Sequence, residues 1–378
     1  MRAPPTKATQ VLKCKDMDLN LPSPGHMSDR WIVRRGTPRT GFTYVAPTGR
    51  LIRDRATIER IERLRIPPAW RDVRIAASAR ASVQAWGFDA RGRRQYRYHD
   101  RAVERGQLRK YHRVRRMGHD MPSIRRRIAS DFGSRDMSRE AVAAAAVRLI
   151  SEAFFRVGSE RYERDNGTFG LTTLRKKHVT VRGDRIQFDY RGKGSIRQRQ
   201  VVYDRRLAEV IGRLMRTPGS RLFRHRHGLR WRDLTSEDVN DYLKRLGNGH
   251  YTAKDFRTWG GTLRMATVLS DLGPGASTRE ATRNVALAAR LVAAELGNTP
   301  AICRASYVHP LVIARYVDAG VTINRDLDVA TRSRNRRATT SHTPEERALL
   351  AFLDRYFPDR RRRAMRRERE RREEPMAA

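Results

Sequence analysis

Apolar residues follow two different periods along this chain, and that change constrains the fold most. Between Trp31 and Tyr98 they sit in short β-branched and aromatic runs: Trp31–Val33, Phe42–Val45, Val73–Ala76, Ser82–Phe88 and Gln95–Tyr98. Turn signals separate the runs, notably Pro47-Thr48-Gly49-Arg50 and Asp89-Ala90-Arg91-Gly92-Arg93. This pattern predicts a small β-rich domain, with one short helix at Ala56–Leu64. From Ser138 the period becomes helical: Val142, Ala145, Ala146, Leu149, Ile150 and Ala153 fall at i, i+3, i+4 and i+7 spacing, and Ser138 suits an N-cap. Gly158 is the expected stop of that helix. Strands are expected at Leu171–Leu174, His178–Val181, Arg185–Tyr190 and Ile196–Tyr203. Helices follow at 205–216, 236–246, 253–270, 278–296 and 309–319. Thr343-Pro344-Glu345-Glu346 reads as a capping box with Pro at the first helical position, opening a last helix to Phe357.

The expected class is therefore α+β. Residues 1–29 form a tail, 30–117 a β-rich N-terminal domain, 118–330 a mostly helical domain with a small antiparallel sheet, and 331–378 a basic C-terminal extension. Residues 101–130 carry ten Lys and Arg against two acids and read as a phosphate-tracking hinge. Residues 359–378, with nine Arg and five acids, read as a tail that adds nonspecific affinity.

Charge narrows the partners. The 378 residues include 81 Lys and Arg against 41 Asp and Glu, a formal net charge of +40. That excess points to a polyanion, with nucleic acid ahead of an anionic membrane surface. The two cysteines, Cys14 and Cys303, exclude a disulfide scaffold and a four-cysteine zinc site. Met1–Asn20 has no apolar core of a secretory signal. The longest apolar run, Ala141–Val147, is closed by Arg148 and is far short of the roughly 20 residues needed to span a membrane. There is no P-loop, no GxGxxG before a helix and no HExxH. His225-Arg226-His227 lacks an accompanying carboxylate or cysteine cluster and reads as a solvated turn. No metal, nucleotide or other cofactor is expected.

What remains is a set of cations and amides around tyrosines. Phosphodiester exchange without a metal needs cationic donors for the nonbridging oxygens, a proton donor for the leaving oxygen and a nucleophile able to hold a covalent intermediate. Arg156, Lys193, Arg257, Asn298 and Tyr307 offer those functions in chain order. Each also has a plain reading: a helix-end cation, a solvated turn lysine, a cap, a packed tyrosine. Their joint occurrence, with no competing site, favours the chemical reading.

Four segments carry a family resemblance: FRVGSERYERDNGTFGLTTLRKKHV, DYRGKG, YTAKDFRTWGGT and LGNTPAICRASYVHPLVI. In this order, between about Thr40 and Gly320, they closely resemble the type IB DNA topoisomerases, in particular the compact poxvirus-like form found in bacteria. The resemblance implies a clamp around duplex DNA, relaxation without ATP or metal, and a monomer in the cytoplasm, associated with the nucleoid. It also implies roles. Tyr307 attacks the scissile phosphate, Arg156 and Arg257 hold its nonbridging oxygens, and Lys193 is the general acid towards the 5′-oxygen. Asn298 stands where the poxvirus enzymes have His, and Ser159 where many cellular members have Asn. Gln95, Tyr96, Arg97 and Tyr98 resemble the segment that enters the major groove, and Lys254 is a further expected DNA contact. Tyrosine recombinases share the Arg–Lys–Arg–Tyr chemistry. They usually carry His three residues before the second Arg, where this chain has Lys254, and begin with an all-helical domain. A nonenzymatic architectural DNA-binding protein would satisfy the charge alone and would form no covalent adduct with DNA.

Overall fold

The computed structural model describes residues 31–132, 136–247, 249–323 and 341–357. The tail at 1–29, Cys14 and the Arg-rich stretch 359–378 lie outside them. The chain divides into two compact units, Met1–Lys110 and Tyr111–Ala378.

The first unit is a five-stranded antiparallel sheet of β1 (Trp31–Thr37), β2 (Gly41–Val45), β3 (Arg71–Ala76), β4 (Val83–Phe88) and β5 (Arg94–Tyr98), in the order β2-β1-β3-β4-β5. Register pairs such as Val33 with Val45 and Ile32 with Ile75 place β-branched residues opposite one another. Helix α1 (Arg55–Arg63) starts at Asp54, whose carboxylate accepts from the Thr57 N–H at 2.8 Å. Ile61 on this helix joins Ile32, Trp70, Val73, Ile75 and Ala85 in a small core.

Residues 101–130, read from their charge as a phosphate-tracking hinge, lie in one 33-residue helix, α2 (Asp100–Phe132). The charge count hid an apolar stripe: Tyr111, Val114, Met117, Met121, Ile124, Ile128 and Phe132 recur at helical spacing and are all buried.

In the second unit, helix α3 (Arg139–Ala153) begins at Ser138 as expected, and α4 (Glu160–Asn166) follows. Strands β6 (Val179–Arg182), β7 (Arg185–Arg191) and β8 (Arg197–Tyr203) form a three-stranded antiparallel sheet in that order. Then come α5 (Arg205–Met215), the hairpin β9 (Arg224–His227) and β10 (Arg230–Asp233), and α6 (Ser236–Arg245). Helices α7 (Ala253–Leu272), α8 (Thr278–Leu296), α9 (Pro300–Ser306), α10 (Pro310–Ala319) and α11 (Pro344–Tyr356) complete the unit.

Three local expectations change. The α3 helix ends at Phe154 in the left-handed conformation (φ 55°), and Gly158 (φ +95°) lies in the loop beyond it. Leu171–Thr173 is a 3-10 turn, not a strand: the Thr173 hydroxyl donates to the Gly170 carbonyl and accepts from the Gly170 N–H, closing the turn on itself. His225 is buried on β9, whereas its neighbour His227 is exposed. The β9–β10 hairpin, α4 and α9 are elements the apolar pattern does not announce, because each is short and mostly polar. Among the described residues no helix is long and apolar enough to cross a membrane.

Candidate active site

Two helix C-termini build the site. The last carbonyls of a helix have no intrahelical partner and carry partial negative charge. At the end of α3 the left-handed turn at Phe154 presents its carbonyl to Nη1 of Arg257. At the end of α8, Gly297 caps in the left-handed conformation (φ 59°). There the Leu296 carbonyl accepts from Arg257 Nη2 at 2.7 Å, and the Gly297 carbonyl accepts from Arg156 Nη2 at 2.7 Å. Asn298 Oδ1 accepts from the same Arg156 nitrogen. Three consecutive residues of one turn thus hold both arginines.

Each cation is delivered by its backbone. Arg257 sits in the first turns of α7, where Thr252 and Asp255 form a capping box. Asp255 is buried and paired with Arg113 of α2 at 3.1 Å, which anchors that helix end. Arg156 lies in the loop after α3, fastened by Leu171 N–H to its carbonyl (2.8 Å) and Thr172 N–H to Val157 carbonyl (2.8 Å). Two glycines make this crossing possible. A Cβ on Gly170 would stand 2.6 Å from Gly158 N and 2.8 Å from the Arg156 carbonyl oxygen.

Tyr307 caps the C-terminus of α9, which Thr299 and Pro300 open. Its backbone N–H bonds the Cys303 carbonyl at 2.9 Å. The pair Gly260-Gly261 in α7 clears space on two sides. A Cβ on Gly260 would enter the Phe154 ring, and one on Gly261 would stand 2.8 Å from the Tyr307 carbonyl oxygen. Beyond Tyr307, His309 N–H donates to Thr262 Oγ1 at 3.0 Å, and Tyr111 Oη donates to the Val308 carbonyl at 2.8 Å.

The electrostatics follow from these contacts. The Arg257 guanidinium stands 5.1 Å from the Tyr307 ring centroid. Burial raises the Tyr307 pKa, but the nearby Arg257, Lys254 and Arg156 charges outweigh it and hold it below the usual phenol value. Burial pushes Arg257 down to about 10, so it remains charged at neutral pH. Tyr190 of β7 lies in the field of both Arg156 and Arg257, and burial raises it to about 12. At this site two of the buried donors, Arg257 Nε and Asn298 Nδ2, have no hydrogen-bond acceptor among the described residues. The Asn298 amide is oriented by Arg156, which claims its oxygen and leaves its nitrogen to point elsewhere.

Arg156, Arg257, Asn298 and Tyr307 therefore converge, with Lys254 contributing charge. Lys193 lies on the exposed tip of the β7–β8 hairpin, in a 3-10 turn at Lys193–Ser195. Gln95, Tyr96, Arg97 and Tyr98 lie on β5 and are all buried. Gln95 donates to Asp89 at 2.9 Å, Arg97 donates to the Arg65 carbonyl at 2.5 Å, and Tyr96 stacks on Tyr98. Sequence reasoning missed the carbonyls of Phe154, Leu296 and Gly297, and it missed Tyr190. The Gly-Gly pair inside a helix and the Leu-Gly end of α8 are the signals that could have found the carbonyls. Among the described residues no group of three or more His, Cys, Asp or Glu could hold a metal.

Comparison with known proteins places the chain in a family. The family described as eukaryotic DNA topoisomerase I, catalytic core, matches residues 101–332, and bacterial DNA topoisomerase IB, N-terminal domain, matches residues 41–89. DNA topoisomerase 1B of Acanthamoeba polyphaga mimivirus is 29% identical over 267 residues, which cover 68% of this chain and 80% of that protein. DNA topoisomerase 1B of vaccinia virus is 25% identical over 239 residues, 61% of this chain and 72% of that protein. DNA topoisomerase 1 of Schizosaccharomyces pombe is 30% identical over 167 residues, 44% of this chain and only 20% of that much longer protein. The chain belongs to the type IB DNA topoisomerase family, isomerases of the type I class.

Proposed function

We propose that this enzyme relaxes supercoiled duplex DNA by cutting and resealing one strand through Tyr307. The Tyr307 oxygen forms a bond to the scissile phosphorus, giving a 3′-phosphotyrosyl link, while the bond to the 5′-oxygen breaks. The phenol proton leaves to water, and Lys193 gives a proton to the departing 5′-oxygen. The free end rotates about the intact strand. The 5′-hydroxyl then attacks back, returns its proton to Lys193 and releases Tyr307. The phosphodiester energy is kept in the covalent link, and torsional strain drives the rotation, so no nucleotide is consumed.

The observation that carries this reading is the pair of buried, unclaimed donors, Arg257 Nε and Asn298 Nδ2. A buried donor without an acceptor is costly, and what singles these two out is that they stand with Arg156 beside the Tyr307 ring. A phosphoryl group beside Tyr307 would accept both, with Arg156 adding charge. Preorganised donors of this kind stabilise the pentacoordinate state without a metal. Asn298 donates but carries no charge, which makes it a weaker contributor than a protonated His. The α7 residue Lys254 would contact DNA, whereas Gln95, Tyr96, Arg97 and Tyr98, buried on β5, would support the sheet and not read a groove. The bacterial N-terminal match supports a bacterial enzyme, and action as a monomer on the chromosome is part of the proposal.

The test is relaxation of negatively supercoiled plasmid in EDTA without ATP. Wild type relaxes the plasmid, and Tyr307→Phe does not. Relaxation surviving in Tyr307→Phe would assign the nucleophile elsewhere. A wild type that shifts the plasmid on a gel without relaxing it would favour an architectural role or a site-dependent recombinase.

A further inference from the structure

The hairpin that carries Lys193 has its own anchor. Gly192 N–H bonds the Ile196 carbonyl at 2.8 Å to close the tip, and Tyr190 and Arg191 pair with Gln198 and Arg197 across the two strands. Alternation along β8 puts Gln198 and Gln200 on one face and Arg197 and Arg199 on the other. The two arginines pair with Asp189 within the hairpin, at 2.7 and 3.3 Å. The two glutamines face the turns that hold the catalytic cations. Gln200 Nε2 donates to the carbonyl of Ala153, the last residue of α3, at 2.8 Å, and its oxygen lies 3.3 Å from Tyr190 Oη. Gln198 is wedged between two glycines. A Cβ on Gly192 would stand 2.6 Å from Gln198 Cγ, and a Cβ on Gly297 would collide with Gln198 Oε1. Gly192 precedes Lys193, and Gly297 precedes Asn298. Gln198, Gly297 and Asn298 also share the wall of one cleft of about 1220 Å³.

We propose that Gln198 is a positioning residue for Lys193: wedged between Gly192 and Gly297, it fixes the base of the Lys193 hairpin against the turn that holds Arg156 and Asn298. This rests on the reading of Lys193 as the general acid. Lys193 stands on an exposed hairpin tip, so its search for the leaving oxygen is bounded by how firmly the hairpin base is held. Proton transfer in the transition state requires it within hydrogen-bond reach of one oxygen. Gln198 restricts that search by holding the hairpin base to the frame in which the phosphate is bound, while Gln200 fixes the next rung to α3. Gly192 and Gly297 are small because the glutamine side chain occupies the space on both sides.

A leaving-group substitution separates proton delivery from general structural support. An alkoxide must be protonated as it departs. A thiol is far more acidic, with a pKa of about 8.5, so a thiolate leaves without a proton. Single-turnover cleavage would be measured on two duplexes of identical sequence, chosen at a site mapped with wild type. One carries the ordinary phosphodiester, the other sulfur at the 5′-bridging position. Gln198→Ala is expected to cleave the ordinary duplex about 10- to 100-fold more slowly than wild type, within the range general acids contribute, and to regain the wild-type rate on the sulfur duplex. Gly192→Ala displaces the Gln198 stem from the other side and is expected to follow the same pattern, which decides the matter should Gln198→Ala fold poorly. Lys193→Ala is the reference, with a larger loss and the same rescue. Equal slowing of the Gln198 and Gly192 variants on both duplexes, or no slowing on either, overturns the positioning role while leaving Lys193 in place. A Lys193→Ala defect that sulfur does not relieve overturns the general-acid reading, and this inference with it.

Discussion

Arg257 is buried, faces the Tyr307 ring, and gives two of its nitrogens to backbone carbonyls, so its fork is already oriented before DNA arrives. Lysine has neither the planar fork nor the reach to satisfy both carbonyls and still address a phosphate. Arg257→Lys is therefore expected to lower single-turnover cleavage by about 10²- to 10³-fold, the usual loss of one preorganised donor, with DNA affinity nearly unchanged. The same cation sets a pH dependence. The Tyr307 pKa is lowered, so cleavage should rise with pH and reach its plateau below the pH at which a free phenol would. Removing the charge in Arg257→Gln moves that midpoint upward. A lowered pKa stabilises the folded state fully above the unfolded pKa, near 10 for a phenol, and that contribution is lost as pH falls through the folded value. The effect is read directly in a pH–rate profile. A profile whose midpoint is identical in Arg257→Gln and wild type would remove Arg257 as the cause.

At the scale of elements, the loop after α3 meets the 170–173 turn with no room for a side chain at the crossing. Gly170→Ala places its Cβ 2.6 Å from Gly158 N. The atoms it meets, Gly158 N and the Arg156 carbonyl oxygen, are backbone, so the loop must move as a whole and take Arg156 with it. Overpacking of this kind costs about 1–3 kcal/mol, and the variant is expected to melt lower and cleave more slowly than wild type. A Gly170→Ala enzyme with unchanged melting and rate would show that the crossing yields freely. Elements of this sort also mark what a sequence can disclose. The helix from Ser138, the β6–β8 strands and the capping box at Thr343 are legible because period and cap chemistry are local. Arg156, Arg257, Asn298 and Tyr307 are legible as a set because their segments resemble a known family. The carbonyls that hold the arginines are not legible. Every residue has a carbonyl, and only the left-handed turns at Phe154 and Gly297 aim these two helix ends at one place. The apolar stripe of α2 was masked for a simpler reason, since the charged residues between its members dominate the composition. Phe154 itself is a bulky residue at positive φ, which propensity argues against. Gly158 looked the better stop because it is a glycine, while packing against α7 made the choice.

Across the whole molecule the charge of +40 should show first in ionic strength dependence. Each neutralised phosphate contributes a slope of about −0.9 in log affinity against log salt, so plasmid binding should weaken steeply between low and physiological salt, equally for wild type and Tyr307→Phe. Helix α11 shows how the helical unit is held closed, and its residues, 344–356, lie beyond the 101–332 stretch that the family match covers. Glu346 is buried at its N-terminus, where it takes Arg125 of α2 in a two-pronged pair at 2.7 and 2.8 Å and lies 3.4 Å from Trp259 Nε1 of α7. At the other end Phe357 packs on His309, two residues past Tyr307, with ring centroids 4.7 Å apart. One helix thus ties α2, α7 and the segment that carries Tyr307. Burial raises the Glu346 carboxyl, but Arg125 outweighs it and holds the pKa below the ordinary 4.5. A depressed carboxylate stabilises the fold above its unfolded pKa and loses that contribution as pH falls through the folded value. Wild type should accordingly lose melting temperature as pH drops below about 4.5. Glu346→Gln should melt lower at pH 7 and lose less on acidification. Glu346→Ala leaves Arg125 without its partner and should cost about 3–5 kcal/mol, as for other broken buried pairs. Phe357→Ala removes ring contacts to both His309 and His112 of α2 while leaving the Arg125 pair in place, so it should lower the melting temperature and slow cleavage together. If it melts much lower yet cleaves at the wild-type rate, α11 braces the fold and leaves Tyr307 to α7 and α9.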